Sequence, residues 1–513
     1  MATVASHNAL VSSIAAGVHR FFRRKQPFRI YHGSTNSTRP TQFDADKMID
    51  TSELSNVLEV DTKRKTALVE PNVSMDALVQ STLTYGLLPR VVMEFPKITV
   101  GGGFSGTSGE SSSFRHGLFE STISRVEIVL GNGEVAFASA DENPDLFYGA
   151  ASSFGTLGVV TLLEVRLMDA MSFVELTYHP VTSTAHALAK LQEATKDSTI
   201  DYLDAIIYDQ QRGVVCLGRL TDSANPVSPI TRFARARDEW FYIHAERLLR
   251  THNGPVTETV PLVDYLFRYD RGGFWVGSFA FKYFHTPFNY FMRWFLDDFL
   301  HTDFMYRALH LGGLSDRYII QDVGVPMHKA EEFLTYLDGH LKCYPLWLCP
   351  LRQGSSQLQS TFSSFTSKQS VDGPEMMLNI GVWGIGPTVP QELLDINRTF
   401  EKMVYAMDGK KWLYGHTYYT EEEFWNIYDR EGYEALRVKY YASYLPNVFD
   451  KVRSRTPSDK ASVKMTDRVY NWIWNIWPLR GLYGLFQAAI GAEYLVSKTW
   501  SLIRLGTWIR FWK

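Results

Sequence analysis

The chain has only three cysteines in 513 residues, Cys216, Cys343 and Cys349, and none stands in a CxxC arrangement. An odd, widely spaced set cannot pair completely and offers no metal-binding spacing. Buried thiols in a reducing compartment are therefore expected, and no metal site. Net charge is scarce too, a formal −3, which leaves no overall basic field for nucleic acid. No uninterrupted apolar run reaches about 18 residues, so a membrane-spanning helix is not expected. No internal repeat recurs at solenoid or propeller spacing. Acidic residues are missing altogether before Asp44. Within that stretch Leu10, Ile14, Val18, Phe21 and Phe22 share a helical face that ends in Arg20, Arg23, Arg24 and Lys25. A mitochondrial transit peptide has this pattern. The favoured reading is a surface helix with a basic last turn, leading directly into the strand PFRIYH.

What is present is ordinary globular material, 45% hydrophobic and 21% charged. Residues 55–71 predict two strands about a charged turn. Ser74 and Gly86 bracket a helix, and ISRVEIVLGNGEVAFAS predicts a hairpin at Gly131-Asn132-Gly133. A further strand, GVVTLLEVRL, closes this half near residue 168. The character then changes. Helices are predicted at 229–251, 286–306, 328–341 and 390–408, and strands at 202–208, 213–220, 318–324 and 376–383. The polar stretch 454–462 reads as a linker. After it, six of the thirteen tryptophans fall between 472 and 512, among Arg480, Lys498, Arg504, Arg510 and Lys513. Seven Lys or Arg against two acids in 463–513, with apolar residues at helical spacing, predict in-plane amphipathic helices on a membrane surface; an arm packed on the protein is the competing reading.

Two loops carry the chemistry. FRIYHGSTNSTRP stops a strand at Gly33 and follows it with short hydroxylated residues. PKITVGGGFSGTSGESSSFRHG places five glycines between 101 and 109. The second satisfies GxGxxG after a strand, but it continues into poor helix sequence and lacks a GK[ST] ending, so neither a Rossmann nor a Walker loop is expected. Glycine lets backbone amides approach an anion, and Ser and Thr add donors without charge; two such loops converging suit a diphosphate without a lysine.

RIYHGSTNS, VEPNVSMDALVQ, TVGGGFSGTSGESSSFRHGLF and DLFYGAASSFGTLGVVT resemble, in order and spacing, the FAD-binding domain of the vanillyl-alcohol-oxidase (PCMH-type) flavoproteins. RYIIQDVGVPM, YPLWLCPLR, TYYTEEEFWNIYD and YEALRVKY resemble the substrate domain of the delta-24-sterol reductase branch. The membrane-spanning N-terminal segment expected of the animal enzymes has no counterpart here, and 463–513 matches nothing in the branch. The resemblance implies an α+β fold. Together with the change of character near 170 and the composition of the last fifty residues, this gives a two-subdomain FAD-binding domain (1–170), an α+β substrate or cap domain (171–455) and a linker with an aromatic amphipathic tail (456–513). The resemblance implies FAD contacts from Gly33, Ser34, Thr35, Asn36 and Ser37 in the first loop. In the second loop it implies Gly102, Gly103, Gly106, Thr107, Ser108, Ser111 and Ser112, and from the closing strand Gly155, Gly158, Val159 and Val160. Asn36 stands where many relatives attach flavin through histidine, and an amide cannot form that bond, so FAD held non-covalently is implied. NADPH as electron donor, a sterol or isoprenoid lipid as substrate and an endoplasmic-reticulum type of membrane follow from the resemblance alone.

Reduction of an isolated alkene needs an acid beside it. Candidates are Asp322, His416 and Tyr418, with Tyr419 and Glu423 behind them, although Thr420 and Glu423 also spell a helix capping box. Trp347, Trp383 and Trp425 are candidate pocket walls or plain core, and Arg115 and His116 face either phosphate or solvent. Two other readings stay open: an FAD-dependent oxidase or dehydrogenase of an alcohol or terpenoid-like metabolite, and a non-catalytic, membrane-attached lipid-binding protein.

Overall fold

In the computed structural model, residues 4–33, 44–226, 229–353, 362, 376–454, 456 and 476–490 are described. The chain opens with helix α1 (Val4–Arg24), which buries Val11, Ile14 and Val18. Its anchor is one the hydrophobic pattern does not reveal. The buried His7 ring bonds Glu70 at 2.8 Å and Glu127 at 3.2 Å. Burial works against the imidazolium, but the hydrogen bonds from these carboxylates outweigh it and raise the pKa to about 9.

A parallel pair, β1 (Arg29–Tyr31) and β2 (Met48–Asp50), follows α1. The first large sheet comprises β3 (Val57–Asp61), β4 (Thr66–Val69), β5 (Leu87–Pro89), β6 (Ile123–Leu130), β7 (Val135–Ser139) and β8 (Gly158–Asp169). Its order is β3-β4-β8-β6-β7, with β5 also on β8. Helix α2 (Met75–Leu83) packs its apolar face here and ends before Gly86 at φ 69°. Ser74 holds the N-cap position, but its hydroxyl donates to Asp76 rather than accepting from the helix. The glycine run is itself the short helix α3 (Val100–Gly106), against the expectation of a non-helical loop. The Thr99 hydroxyl caps it by accepting from Gly102 N–H, and this offsets the weak intrinsic propensity of glycine.

The second sheet comprises β9 (Phe173–Val181), β10 (Tyr202–Asp209), β11 (Arg212–Thr221), β12 (Val256–Pro261), β13 (Tyr318–Pro326), β14 (Leu346–Arg352), β15 (Met376–Ile385) and β16 (Lys410–Lys411). They run in the order β12-β9-β11-β10-β14-β15-β13-β16. The predicted helix at 229–251 forms only over Phe241–Thr251. The one at 286–306 breaks into Tyr290–Phe295, a 3₁₀ turn and Thr302–Leu311. The break falls where Asp297 turns inward to pair with Arg271. The chain then returns to its beginning: Leu413, Phe424, Tyr433, Val448 and Val452 share a core with Val11, Ile14, Val18 and Val159. Cys216 and Cys349 are buried and Cys343 is half-buried; all three are free.

Candidate active site

A cavity of about 380 Å³ lies between the two large sheets, and its two walls differ in chemistry. On one side stand Gly101, Gly102, Ser105, Gly106, Thr107, Ser108 and Gly155. Each glycine is there for a separate reason. Gly101 sits over Pro71, so that a Cβ would lie 2.9 Å from the Pro71 carbonyl. A Cβ on Gly106 would meet nothing closer than Phe154 at 4.0 Å and would point into the open cavity. Behind α3 a second turn is stitched to its end: Ser152 N–H donates to Phe104 O and Phe154 N–H to Ser105 O, both at 2.9 Å. Thr107 (φ 66°), Ser152 (φ 59°) and Phe154 (φ 54°) are all left-handed. Such conformations cost about 1–3 kcal/mol each away from glycine and persist where the surroundings hold them. Here the Thr107 hydroxyl is held by Ser152 Oγ.

The other wall is acidic and aromatic: Glu94, Glu110, Phe274, Asp322, Trp347, Trp383 and Tyr414. Asp322 projects from β13 and receives Trp383 Nε1–H at 3.1 Å and Asn379 Nδ2–H at 3.3 Å. Burial nevertheless dominates and lifts its pKa to about 7, against the hydrogen bonds from Tyr414, Asn379 and Trp383. The Phe274 ring lies 4.5 Å from that of Trp383 and 5.4 Å from that of Trp347, and φ 60° at Phe274 turns it there. Deeper in, Arg268 approaches Asp204 at 2.7 Å and Glu94 at 3.0 Å. Asp204 also accepts from Tyr269 and Trp347, both on the same oxygen that faces Arg268. Burial raises Glu94 to about 8 despite Arg268, and burial together with the charge of Glu94 raises Glu110 well above the carboxylate range. The wall can thus hold protons at neutral pH in a region with one balanced cation.

Of the residues expected to contact cofactor, Gly102, Gly106, Thr107, Ser108, Gly155 and Val160 line the cavity. Gly33 ends β1 at φ 71° beside the lining His32, and Ser34, Thr35, Asn36 and Ser37 lie outside the described residues. The others face elsewhere. A Cβ on Gly103 would strike Met93 Sδ at 2.6 Å and Phe119 at 2.8 Å, so this glycine serves core packing. Ser111 O accepts from Leu203 N–H, and the Ser112 hydroxyl donates to Arg90 O. Gly158 abuts Val129 in the sheet, and Val159 belongs to the α1 core.

Among the acid candidates the strand period separates Asp322 from the rest. Gln321, one residue earlier, points to the opposite face and donates to the His416 carbonyl at 3.0 Å. Tyr418 is on that far side too, its N–H donating to Glu401 and its carbonyl accepting from Arg398. Neither His416 nor Tyr418 lines the cavity. Glu423 completes the capping box with Thr420 and pairs with Arg398. Trp425 stacks on Tyr433 away from the cavity. Arg115 donates to the carbonyls of Ile200 and Asp197.

Sequence reasoning missed Glu94, Glu110, Tyr414, Arg29 and Lys451. Glu94 leaves a trace as a lone acid in the apolar run VVMEFP. Lys451 leaves none, because it reaches the cavity only through the return of 413–452 and donates to Phe154 O. With Arg29 it brings cations to the glycine wall, where none was expected. An anion fits this wall: space where Gly106 lacks a side chain, hydroxyls at Ser105 and Ser108, and two cations.

A model of the FAD binding domain family matches residues 11–139. The chain is 30% identical to the Delta(24)-sterol reductase of Homo sapiens over 402 residues, 78% of this chain and 76% of that protein. It is 28% identical to the Delta(24)-sterol reductase of Arabidopsis thaliana, covering 77% and 74%. Similarity to cytokinin dehydrogenase 9 of Oryza sativa subsp. japonica, 32% identical, covers only 30% of this chain.

Proposed function

Because this chain belongs to the delta(24)-sterol reductase family of FAD-dependent oxidoreductases, we propose that it reduces a carbon–carbon double bond in the side chain of a sterol or related isoprenoid lipid with electrons from NADPH. Bound non-covalently, FAD supplies the hydride. In this reading Gly102, Gly106, Thr107, Ser108 and Gly155 receive the cofactor, the small side chains letting backbone and hydroxyl donors approach its diphosphate, with Arg29 and Lys451 balancing charge. Residues 1–170 form the cofactor half and 171–455 the substrate half, with 413–452 closing the two together.

Asp322 is assigned as proton donor. An electron-rich alkene takes a proton at one carbon and becomes a tertiary cation at the other, which then accepts hydride, so one proton and one hydride are consumed per bond. Phe274, Trp347 and Trp383 surround that position with π-faces that favour a cation and exclude water. Tyr414, Asn379 and Trp383 orient the acid. Glu94 and Glu110 line the same cavity, and a proton returned to the acid would come by way of them. The observation that carries the reading is Asp322, raised to about 7 and set among aromatic rings opposite the glycine wall. A substrate of this kind lives in lipid, and attachment of 456–513 to an intracellular membrane such as the endoplasmic reticulum is proposed with it.

The test is anaerobic mixing. NADPH should bleach the flavin band at about 450 nm, and a side-chain-unsaturated sterol should restore it in wild type but not in Asp322→Asn. Reoxidation by oxygen coupled to an alcohol, indifferent to sterol, would defeat the proposal.

A further inference from the structure

The helix Leu479–Ile490 is turned inside out. Its buried positions are Gly481, Gly484 and Ala488, while Leu482, Phe486 and Ile490 are 51%, 60% and 60% exposed. A helix in water does the opposite, because burying large apolar side chains is what holds it in place. Small residues against protein and large ones outward is the arrangement of helices that pack within lipid. The packing is close: a Cβ on Gly481 would lie 2.5 Å from the Tyr283 ring, and one on Gly484 would collide with the Ala308 carbonyl.

A second element continues this surface. Trp477 donates to Tyr283 O at 2.7 Å and lays its ring 4.9 Å from that of His285. Five residues later begins the helix Tyr290–Phe295, which buries no side chain and leaves Phe291 and Phe295 60% and 59% exposed, with Tyr290 and Trp294 beside them. Stretches 272–296 and 476–490 contain Lys282, Arg293 and Arg480 and no acid.

We propose that Leu482, Phe486 and Ile490 together with Tyr290, Phe291, Trp294 and Phe295 form one bilayer-docking face, lying in the plane of an anionic membrane. This rests on the sterol-reductase reading and deepens it: it joins one helix of the 456–513 segment to a helix of the folded body, Tyr290–Phe295, in a single surface. Among the described residues no helix is long and apolar enough to cross a membrane, and the proposal places Leu479–Ile490 in the interface. Tryptophan and tyrosine suit the headgroup level, and lysine and arginine suit anionic lipid. The position is useful as well. The helix Thr302–Leu311 separates the face from the cavity, packing on Leu479–Ile490 while its Tyr306 lines the cavity.

The experiment uses the full chain loaded with FAD and vesicles of phosphatidylcholine with or without phosphatidylserine. The double variants Leu482→Ser/Phe486→Ser and Phe291→Ser/Phe295→Ser, on separate elements, are compared with wild type by co-sedimentation. Each should retain flavin, reduce detergent-dispersed sterol at the wild-type rate and bind anionic vesicles at least tenfold more weakly. Brominated lipid should quench the tryptophan emission of wild type, a measurement that needs no variant. Wild-type emission that brominated lipid leaves unchanged overturns the face. So does vesicle binding that survives both double variants, whether they dissociate a dimer, which identifies a second copy as the occupant, or lower the melting temperature, which identifies the segment 491–513. Wild type that binds vesicles through this face yet reduces no sterol leaves the face standing and removes the sterol reading instead.

Discussion

The two walls of the cavity are built in opposite ways. Most of the glycine wall comes from two short stretches, 99–109 and 152–155, whose missing side chains and left-handed residues shape it, with Arg29 and Lys451 brought to it from elsewhere. The acidic wall gathers Glu94, Glu110, Phe274, Asp322, Trp347, Trp383 and Tyr414 from separate places in the sequence, and its chemistry is in side chains whose properties depend on company. A wall that must fit a diphosphate restricts which residue types can stand in a few adjacent positions. A wall that must hold a proton and an apolar substrate restricts only what surrounds each group. The first therefore tolerates almost no local change, and the second is sensitive to distant ones.

The largest expected difference is in turnover. Asp322→Asn should keep FAD and lower sterol reduction by about 10²–10⁴-fold, the usual range for a lost general acid. In wild type the protonated form is the active one, so the rate should be constant below about pH 7 and fall as pH rises through the Asp322 pKa; the residual rate of the variant should lack that limb. Single-turnover rates across pH measure both, and a variant that keeps the wild-type profile would return the acid's role to another residue.

Next comes the charge beneath the acidic wall. Arg268→Met leaves the Asp204 carboxylate buried without its cation and should cost about 3–5 kcal/mol of stability. Denaturant unfolding at pH 7 reads it directly.

On the glycine wall, Gly106→Val and Gly103→Val should separate cleanly. The first adds a side chain to open cavity and should abolish flavin retention with little change in melting temperature. The second drives methyl groups into Met93 and Phe119 and should cost about 1–3 kcal/mol, with flavin lost only as far as the fold loosens. Flavin content per protein and thermal melting distinguish them. Equal effects at both positions would mean that the two glycines do the same work.

The smallest effect belongs to a residue near neither wall. Thr420→Ala removes one side of the capping box and should cost about 1 kcal/mol. Turnover should be unchanged. A drop in rate per folded molecule would restore Glu423 to the list of acids.

Local pattern carried a good deal of this. The hairpin at Gly131–Gly133, the strands of both sheets near their expected places, the N-terminal helix face and the capping box were all legible, because each depends on residues within a turn or two of one another. The turn of the backbone at Asp297 was not. Nothing near 286–306 announces that an acid will rotate inward to meet Arg271. His7 was missed for the same reason, since its two carboxylate partners are 63 and 120 residues away.

Membership in a flavin-binding fold and the residue types of the glycine wall were legible along the sequence, since backbone conformation and glycine spacing are local properties. Which of the acid candidates faces the cavity was decided only in three dimensions. Asp322 and His416 looked equally suited as letters, and they part because β13 alternates its faces, sending Asp322 into the aromatic cavity and Gln321 toward His416 on the far side. Lys451 reaches Phe154 across 297 residues. Burial and Coulomb interaction depend on distance in space, which a linear order of residues does not contain.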